Sequence, residues 1–163
     1  MNGKKINLRL LVACLVLPLA VGGLSALLSA DGMAFFMQSV LKPPLNPPPW
    51  LFGVVWTVLY ILMGIASYLV ITSGREQRLV DAALKVYGIQ LIFNFAWSPI
   101  FFNLKSYLFA FIWLIALFFL VTLNAVYFGK ISKAGGLLFI PYALWVAFAG
   151  YLNLSIYLLN RSV

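Results

Sequence analysis

A chain of 163 residues that is 64% hydrophobic and 9% charged, with mean hydropathy +1.05, carries more apolar surface than one water-soluble domain can bury, so its solvent is lipid. Its net charge of +8 comes from cations scattered between apolar runs rather than gathered in a patch, which excludes a nucleic-acid partner and assigns the charges to membrane orientation. With no His, a single Cys14, and Asp31, Glu76 and Asp81 all between the apolar runs, the sequence offers no intrachain disulfide, metal centre, nucleophile with a base beside it or proton relay through the bilayer.

The charges divide the chain into five uncharged spans, each close to or above the roughly 20 residues that a crossing helix needs. Backbone groups in hydrocarbon must pair within their own segment, and alternating strand patterns are absent. The expected fold class is therefore an all-α membrane protein, a five-transmembrane-helix bundle forming a single domain over 1–163. The helices are predicted near 8–29, 49–72, 84–103, 107–128 and 135–159.

The first span follows Lys4, Lys5 and Arg9 and resembles a signal peptide, with small residues at 23–25, but its apolar run exceeds the usual length of about 7–15 residues. A retained helix is expected, bent at Pro18. Gly22 with Ala26, and Ser25 with Ser29, are small pairs four apart that suit close packing inside the molecule. Residues 31–41 are too short to cross; Phe35, Phe36, Met37 and Val40 predict a short interfacial helix, either a connector or a lid over a pocket mouth.

Pro43, Pro44, Pro47, Pro48 and Pro49 then hold the chain extended, since each ring fixes φ and removes a donor. Asn46 is expected to cap the second long helix, which begins near Pro48. Along it Gly53, Trp56, Tyr60 and Gly64 share one face, where small residues leave room beside two rings. This face is predicted to wall a flat cavity for a flat apolar ligand. Residues 74–81 read as a solvated turn.

The third long helix carries Gln90, Asn94, Trp97, Ser98 and Pro99, with a kink or an end expected at the proline. The fourth is plainer: Trp113, Leu117 and Asn124 share a face, and residues 129–136 read as a short basic turn. In the last helix Pro141, Trp145, Ala149 and Asn153 recur every four residues, with Tyr142 adjacent and Ala149 beside Trp145 forming a notch. A lone tryptophan near a helix end also serves as an interface anchor, a role that Trp50 and Trp113 fit best. Lone amides such as Asn94, Asn124 and Asn153 commonly bond a neighbouring helix. Trp56, Asn94 and Trp145 come from three helices and together would supply ring faces with sparse polar anchors, the usual lining of a ligand pocket.

These stretches, KPPLNPPPWLFGVVWTVLYILMGIASY, QLIFNFAWSPIFF and PYALWVAFAGYLN, resemble the TspO/MBR family of tryptophan-rich sensory proteins and translocator proteins in order and spacing, over essentially the whole chain. The chain departs at Val54, where the family often has Pro, and at Phe95 and Ser98, where it often has Trp and Pro. The resemblance implies a five-helix bundle, commonly a homodimer, that binds porphyrins such as protoporphyrin IX, sterols and isoquinoline carboxamides below the first loop. It implies no cofactor and no catalytic residues of a conventional enzyme. Trp56, Asn94, Trp97, Trp145 and Ala149 match cavity positions and Trp50 the tryptophan near the loop; Gly53, Tyr60 and Leu152 complete the candidate ligand-binding set. Light-driven porphyrin breakdown in some bacterial relatives would involve Trp56 and Trp145. Leu154, Tyr157 and Arg161 satisfy the family's sterol pattern in form, although the Tyr is displaced from the family's position. A tetrapyrrole receptor or sensor is the leading expectation, with a transporter of tetrapyrroles or sterol-like lipids as the alternative.

Lys4, Lys5, Arg9, Arg75, Arg78, Lys85, Lys130 and Lys133 fall on the N-terminal side, against Lys42, Lys105 and Arg161 on the other. Positive loops stay cytoplasmic, so this multi-pass protein is expected in a bacterial cell membrane with its N-terminus inside. A Lys42→Cys variant lacking Cys14 is accordingly expected to react with a membrane-impermeant thiol reagent applied to intact cells. Labelling only after lysis would reverse the orientation.

Overall fold

The computed structural model describes residues 6–161, so Lys4 and Lys5 of the charge bias lie outside the described residues. It is helical throughout, with the elements α1 (Leu8–Leu28), α2 (Ala30–Ser39), α3 (Pro49–Ile71), α4 (Gln77–Ser98), a π-helical turn (Pro99–Asn103), α5 (Tyr107–Ile131), α6 (Lys133–Leu137) and α7 (Ile140–Asn160). Five segments are long and apolar enough to cross a membrane: α1, α3, α4 with its π turn, α5, and α6 with α7.

Local chemistry explains the ends. The Asn7 side chain accepts from the Leu10 N–H at 3.2 Å and caps α1. The proline segment is not extended throughout, since the Asn46 N–H closes a turn on the Pro43 carbonyl at 3.0 Å, but Pro48, at φ −63° and ψ 148°, is extended up to the first residue of α3. Asn46 does not cap that helix; it ends the turn from Pro43, two residues before the N-cap Pro48, and its side-chain amide donates to the Pro47 carbonyl. Pro99 has no N–H to continue the α ladder, and the chain widens into a π turn closed by the Leu104 N–H on the Pro99 carbonyl at 3.0 Å.

Two expected turns are shorter than the charges suggested. α4 starts at Gln77, about two turns before the expected 84, because Val80 and Ala83 are buried and Gln77 bonds Asp81 four residues on at 2.7 Å. Charged residues only require that this first part project beyond the hydrocarbon. Likewise α5 continues to Ile131 and α6 begins at Lys133, with only Ser132 between them; its hydroxyl accepts from the Gly135 N–H and caps α6.

The crossing segments form a ring in the order α3, α1, α4, α5, α7. A Cβ on Gly64 would lie 2.7 Å from the Cys14 carbonyl and 2.8 Å from Leu15 Cα, so this glycine sets how closely α3 approaches α1. The Ser25 hydroxyl donates to the Phe95 carbonyl at 2.7 Å and ties α1 to α4. Phe93 stacks on Trp113 at 4.3 Å, and the Trp113 indole donates to the Phe93 carbonyl. Trp113 thus cements α4 to α5 rather than anchoring at the interface. α5 meets α7 where the Asn153 amide donates to the Tyr107 carbonyl at 2.7 Å. α3 and α7 instead face each other across an apolar groove of about 430 Å³ that holds Val54, Val58, Leu144 and Trp145.

α2 lies across one end of the ring, with Phe36 edge-on to Phe101 and Phe102, each at 5.4 Å. The loop behind it is fixed as well: the Asn160 amide bonds both the N–H and the carbonyl of Leu41 at 3.0 Å. At the far end the ring is filled by Tyr87, Phe128 and Phe139, whose rings lie 5.1–6.2 Å apart. Gly64→Ala is expected to cost about 1–3 kcal/mol, since backbone atoms block the added methyl. Gly88→Ala, where nothing lies within 4 Å, should be neutral or stabilising. Thermal unfolding in detergent compares them, and equal midpoints would contradict the packing described.

Candidate functional site

Between α2 and the aromatic plug the ring encloses a cavity of about 450 Å³, within the range of small-molecule sites. α3 presents Gly53, Trp56 and Tyr60 to it, α4 presents Asn94 and Trp97, and α7 presents Ala149, Leu152 and Asn153. Three residues of the expected glycine-aromatic face of α3 therefore do wall a cavity, while the fourth, Gly64, packs against α1 instead. Helical spacing accounts for it: residues three and four apart stack on the inward side, and the glycine leaves the space that the rings border.

Tyr60 and Asn94, at its floor, are tied to Gln90 and Tyr142 behind them, four side chains from three helices. The Tyr60 hydroxyl donates to Asn94 Oδ1 at 2.8 Å, Asn94 Nδ2 donates to the Tyr142 hydroxyl at 2.7 Å, and Gln90 Nε2 donates to that same hydroxyl at 2.7 Å. Tyr142 and Gln90 have no exposed surface. In hydrocarbon such bonds are worth about 0.6 kcal/mol on average, up to roughly 1.7, and their absence would leave polar groups stranded. The chain fixes the Asn94 amide, so the polar group nearest the ligand space is rigidly aimed. Gly22 permits this: a Cβ there would occupy the Tyr60 ring. Gly22 and Ser25 of α1 thus serve packing within the molecule, whereas Ala26 is exposed and lines the cavity.

The walls are ring faces. Trp56 stacks on Tyr60 at 5.7 Å and Trp97 on Phe101 at 5.2 Å, while the Trp97 indole reaches Asn153 Oδ1 at 3.4 Å. Met33, Phe36 and Met37 of α2, with Asn46 and Pro47 of the loop, cover the mouth. α2 is therefore both connector and cover, the two roles that its composition left open. On one side the cavity reaches the surface between α1 and α3: Gly23 and Gly53 line it, are exposed, and have nothing within 4 Å of a Cβ.

Two candidate residues are placed elsewhere. Trp145 does not line the cavity; its indole lies in the groove between α3 and α7, edge-on to Phe52 at 5.5 Å, with Nε1 buried and unpaired. The four-residue repeat correctly put it on the α7 face that carries Ala149, but the separation of α3 from α7 lets the large ring fall to the outer edge of that face. Trp50 is 67% exposed and lies outside the lining, as an interface anchor would. Of the two indoles linked to light-driven breakdown, then, only Trp56 borders the cavity. Asn124 was expected to bond a neighbouring helix, yet it is buried with neither amide atom paired. Phe102 and Ile156 also line the cavity and were not singled out, because common apolar residues carry no signal of their own, and Ser25, which lines it too, was read for packing alone.

The family profile described as TspO/MBR family matches residues 14–159. The chain is 37% identical to the tryptophan-rich protein TspO of Chlorobaculum tepidum over 92% of this chain and 95% of that one. It is 40% identical to the tryptophan-rich protein TspO of Archaeoglobus fulgidus over 94% and 99%, and 32% identical to the human translocator protein over 82% and 79%. A double-mutant cycle of Tyr60→Phe with Asn94→Leu tests the floor. Unfolding in detergent is expected to show a coupling of about 0.6–1.7 kcal/mol; strict additivity would contradict the hydrogen bond.

Proposed function

The chain belongs to the TspO/MBR family, and from that premise we propose that it is a membrane receptor holding planar, mainly apolar ring compounds, protoporphyrin IX foremost. The ligand sits between α1, α3, α4 and α7, its faces against Trp56 and Trp97 and one edge toward Asn94. One observation carries the reading: a cavity of about 450 Å³ with indoles on two walls and a hydrogen-bonded amide at its base. Flat aromatic walls favour flat ligands because ring stacking adds to the burial of area. The cell membrane is its place, with α2 on the outer side, and it assembles as a homodimer.

Transport of the same ligands is the second reading, favoured by the side opening lined by Gly23 and Gly53. That opening gives a way in from lipid. Beyond Asn94, however, Tyr142, Phe139 and Phe128 fill the ring, which supports binding over passage.

Quenching of tryptophan fluorescence by protoporphyrin IX is expected at micromolar concentration. Trp56→Phe and Asn94→Ala should each weaken it severalfold, and Trp145→Phe should bind nearly as wild type does. Under illumination the bound porphyrin should bleach faster than in empty micelles, and Trp56→Phe should slow that bleaching more than Trp145→Phe does. Unchanged affinity in the first two variants would place the ligand elsewhere, and bleaching no faster than in empty micelles would remove the light-dependent role.

A further inference from the structure

We propose that Met33 and Met37 of α2 are a paired oxidation site: singlet oxygen made by an illuminated ring in the cavity turns both thioethers to sulfoxides and loosens the hold on that ring. The inference rests on the ring-binding reading above and adds a modification that regulates it.

Both side chains line the cavity, and they are 37% and 43% exposed, whereas Met63 in the core is 1% exposed. Residues four apart on a helix set their Cβ atoms about 5–6 Å apart, and unbranched, flexible side chains let the two sulfurs meet. α2 is held in place by its other face. A Cβ on Gly32 would lie 2.6 Å from the Phe102 carbonyl, and Phe36 packs edge-on against Phe101 and Phe102. The two thioethers therefore stay over the opening.

The chemistry uses two sulfurs. A conjugated ring that absorbs light passes its energy to dioxygen, taking no electron or proton from the protein. One thioether gives an electron pair to the singlet oxygen and becomes a persulfoxide, with both oxygen atoms on a single sulfur. Its outer oxygen then passes to the second thioether as the O–O bond breaks, so one dioxygen and two thioethers yield two sulfoxides and nothing is released. Each sulfoxide puts a polar, hydrogen-bond-accepting oxygen where an apolar side chain had covered the ring, a change that sulfoxide reductases reverse. That oxygen keeps its water, so the mouth is held open to solvent. Adaptable packing alone also places methionines at a pocket mouth, but it links the oxidation of neither one to the presence of the other.

The test illuminates the full chain with bound protoporphyrin IX in air, in nanodiscs of saturated phosphatidylcholine, and follows each methionine by mass spectrometry. Met33 and Met37 are expected to gain one oxygen each, in step and at least severalfold faster than Met63, with no gain in the dark or under argon. Met33→Leu, which keeps the side chain's size, should slow oxidation of Met37 severalfold. Given fresh porphyrin, the oxidised wild type should bind severalfold more weakly than before, and the Met33→Leu/Met37→Leu variant should bind as it did before illumination. Three results would each overturn the pair and leave the ring-binding reading standing: oxidation no faster than that of Met63, an unaltered rate at Met37 in Met33→Leu, or an affinity that falls equally, or not at all, in both proteins. Failure of protoporphyrin IX to quench tryptophan fluorescence before illumination overturns both.

Discussion

The Tyr142 hydroxyl is the point on which this bundle turns. It accepts a hydrogen bond from Gln90 and another from Asn94, and Asn94 in turn accepts one from Tyr60. In lipid, helices gain nothing by hiding apolar surface from one another, so polar contacts and close packing decide their positions. These three bonds hold α3, α4 and α7 around one level of the ring. On one side of that level the space is filled with rings, and on the other it is left open.

Small residues set the distances that this arrangement needs. Gly64 lets α3 lie against the backbone of α1, and Gly22 leaves room for the Tyr60 ring that reaches Asn94. At the far end a Cβ on Gly136 would come within 2.7 Å of the Ala125 carbonyl, so α5 and α6 turn back on each other without spacing. Where α3 and α7 lack such a contact they stand apart, and Trp145 occupies the gap. The same glycine chemistry that closes the ring elsewhere leaves Gly23 and Gly53 exposed at the cavity's edge, where the opening faces lipid.

Much of this was legible beforehand, for physical reasons. Uncharged runs of about 20 residues can do little in a chain but cross a bilayer, and the glycine-aromatic face of α3 announced a cavity because helical spacing is rigid. Asn94 on α4 and Ala149 on α7 were found in the same way. The failures share a cause. The position of Trp145 depends on the separation of two helices far apart in sequence, which no local pattern encodes. The early start of α4 depends on what Val80 and Ala83 pack against, and the lack of partners for Asn124 depends on its neighbours across the ring. The polar floor was half visible: Gln90, Asn94 and Tyr142 stood out singly, but only the fold joins them through Tyr60.

With no charged side chain in its lining, the site selects by shape, by ring stacking and by one fixed amide. A crystal structure grown from a lipidic mesophase with protoporphyrin IX present tests the central claim most directly. The account predicts density for the macrocycle against Trp56 and Trp97, with an edge within about 3.5 Å of the Asn94 amide and the Tyr60–Asn94–Tyr142 bonds intact. A macrocycle on the lipid-facing surface, or a bundle whose α2 half has collapsed to fill the space, would contradict it.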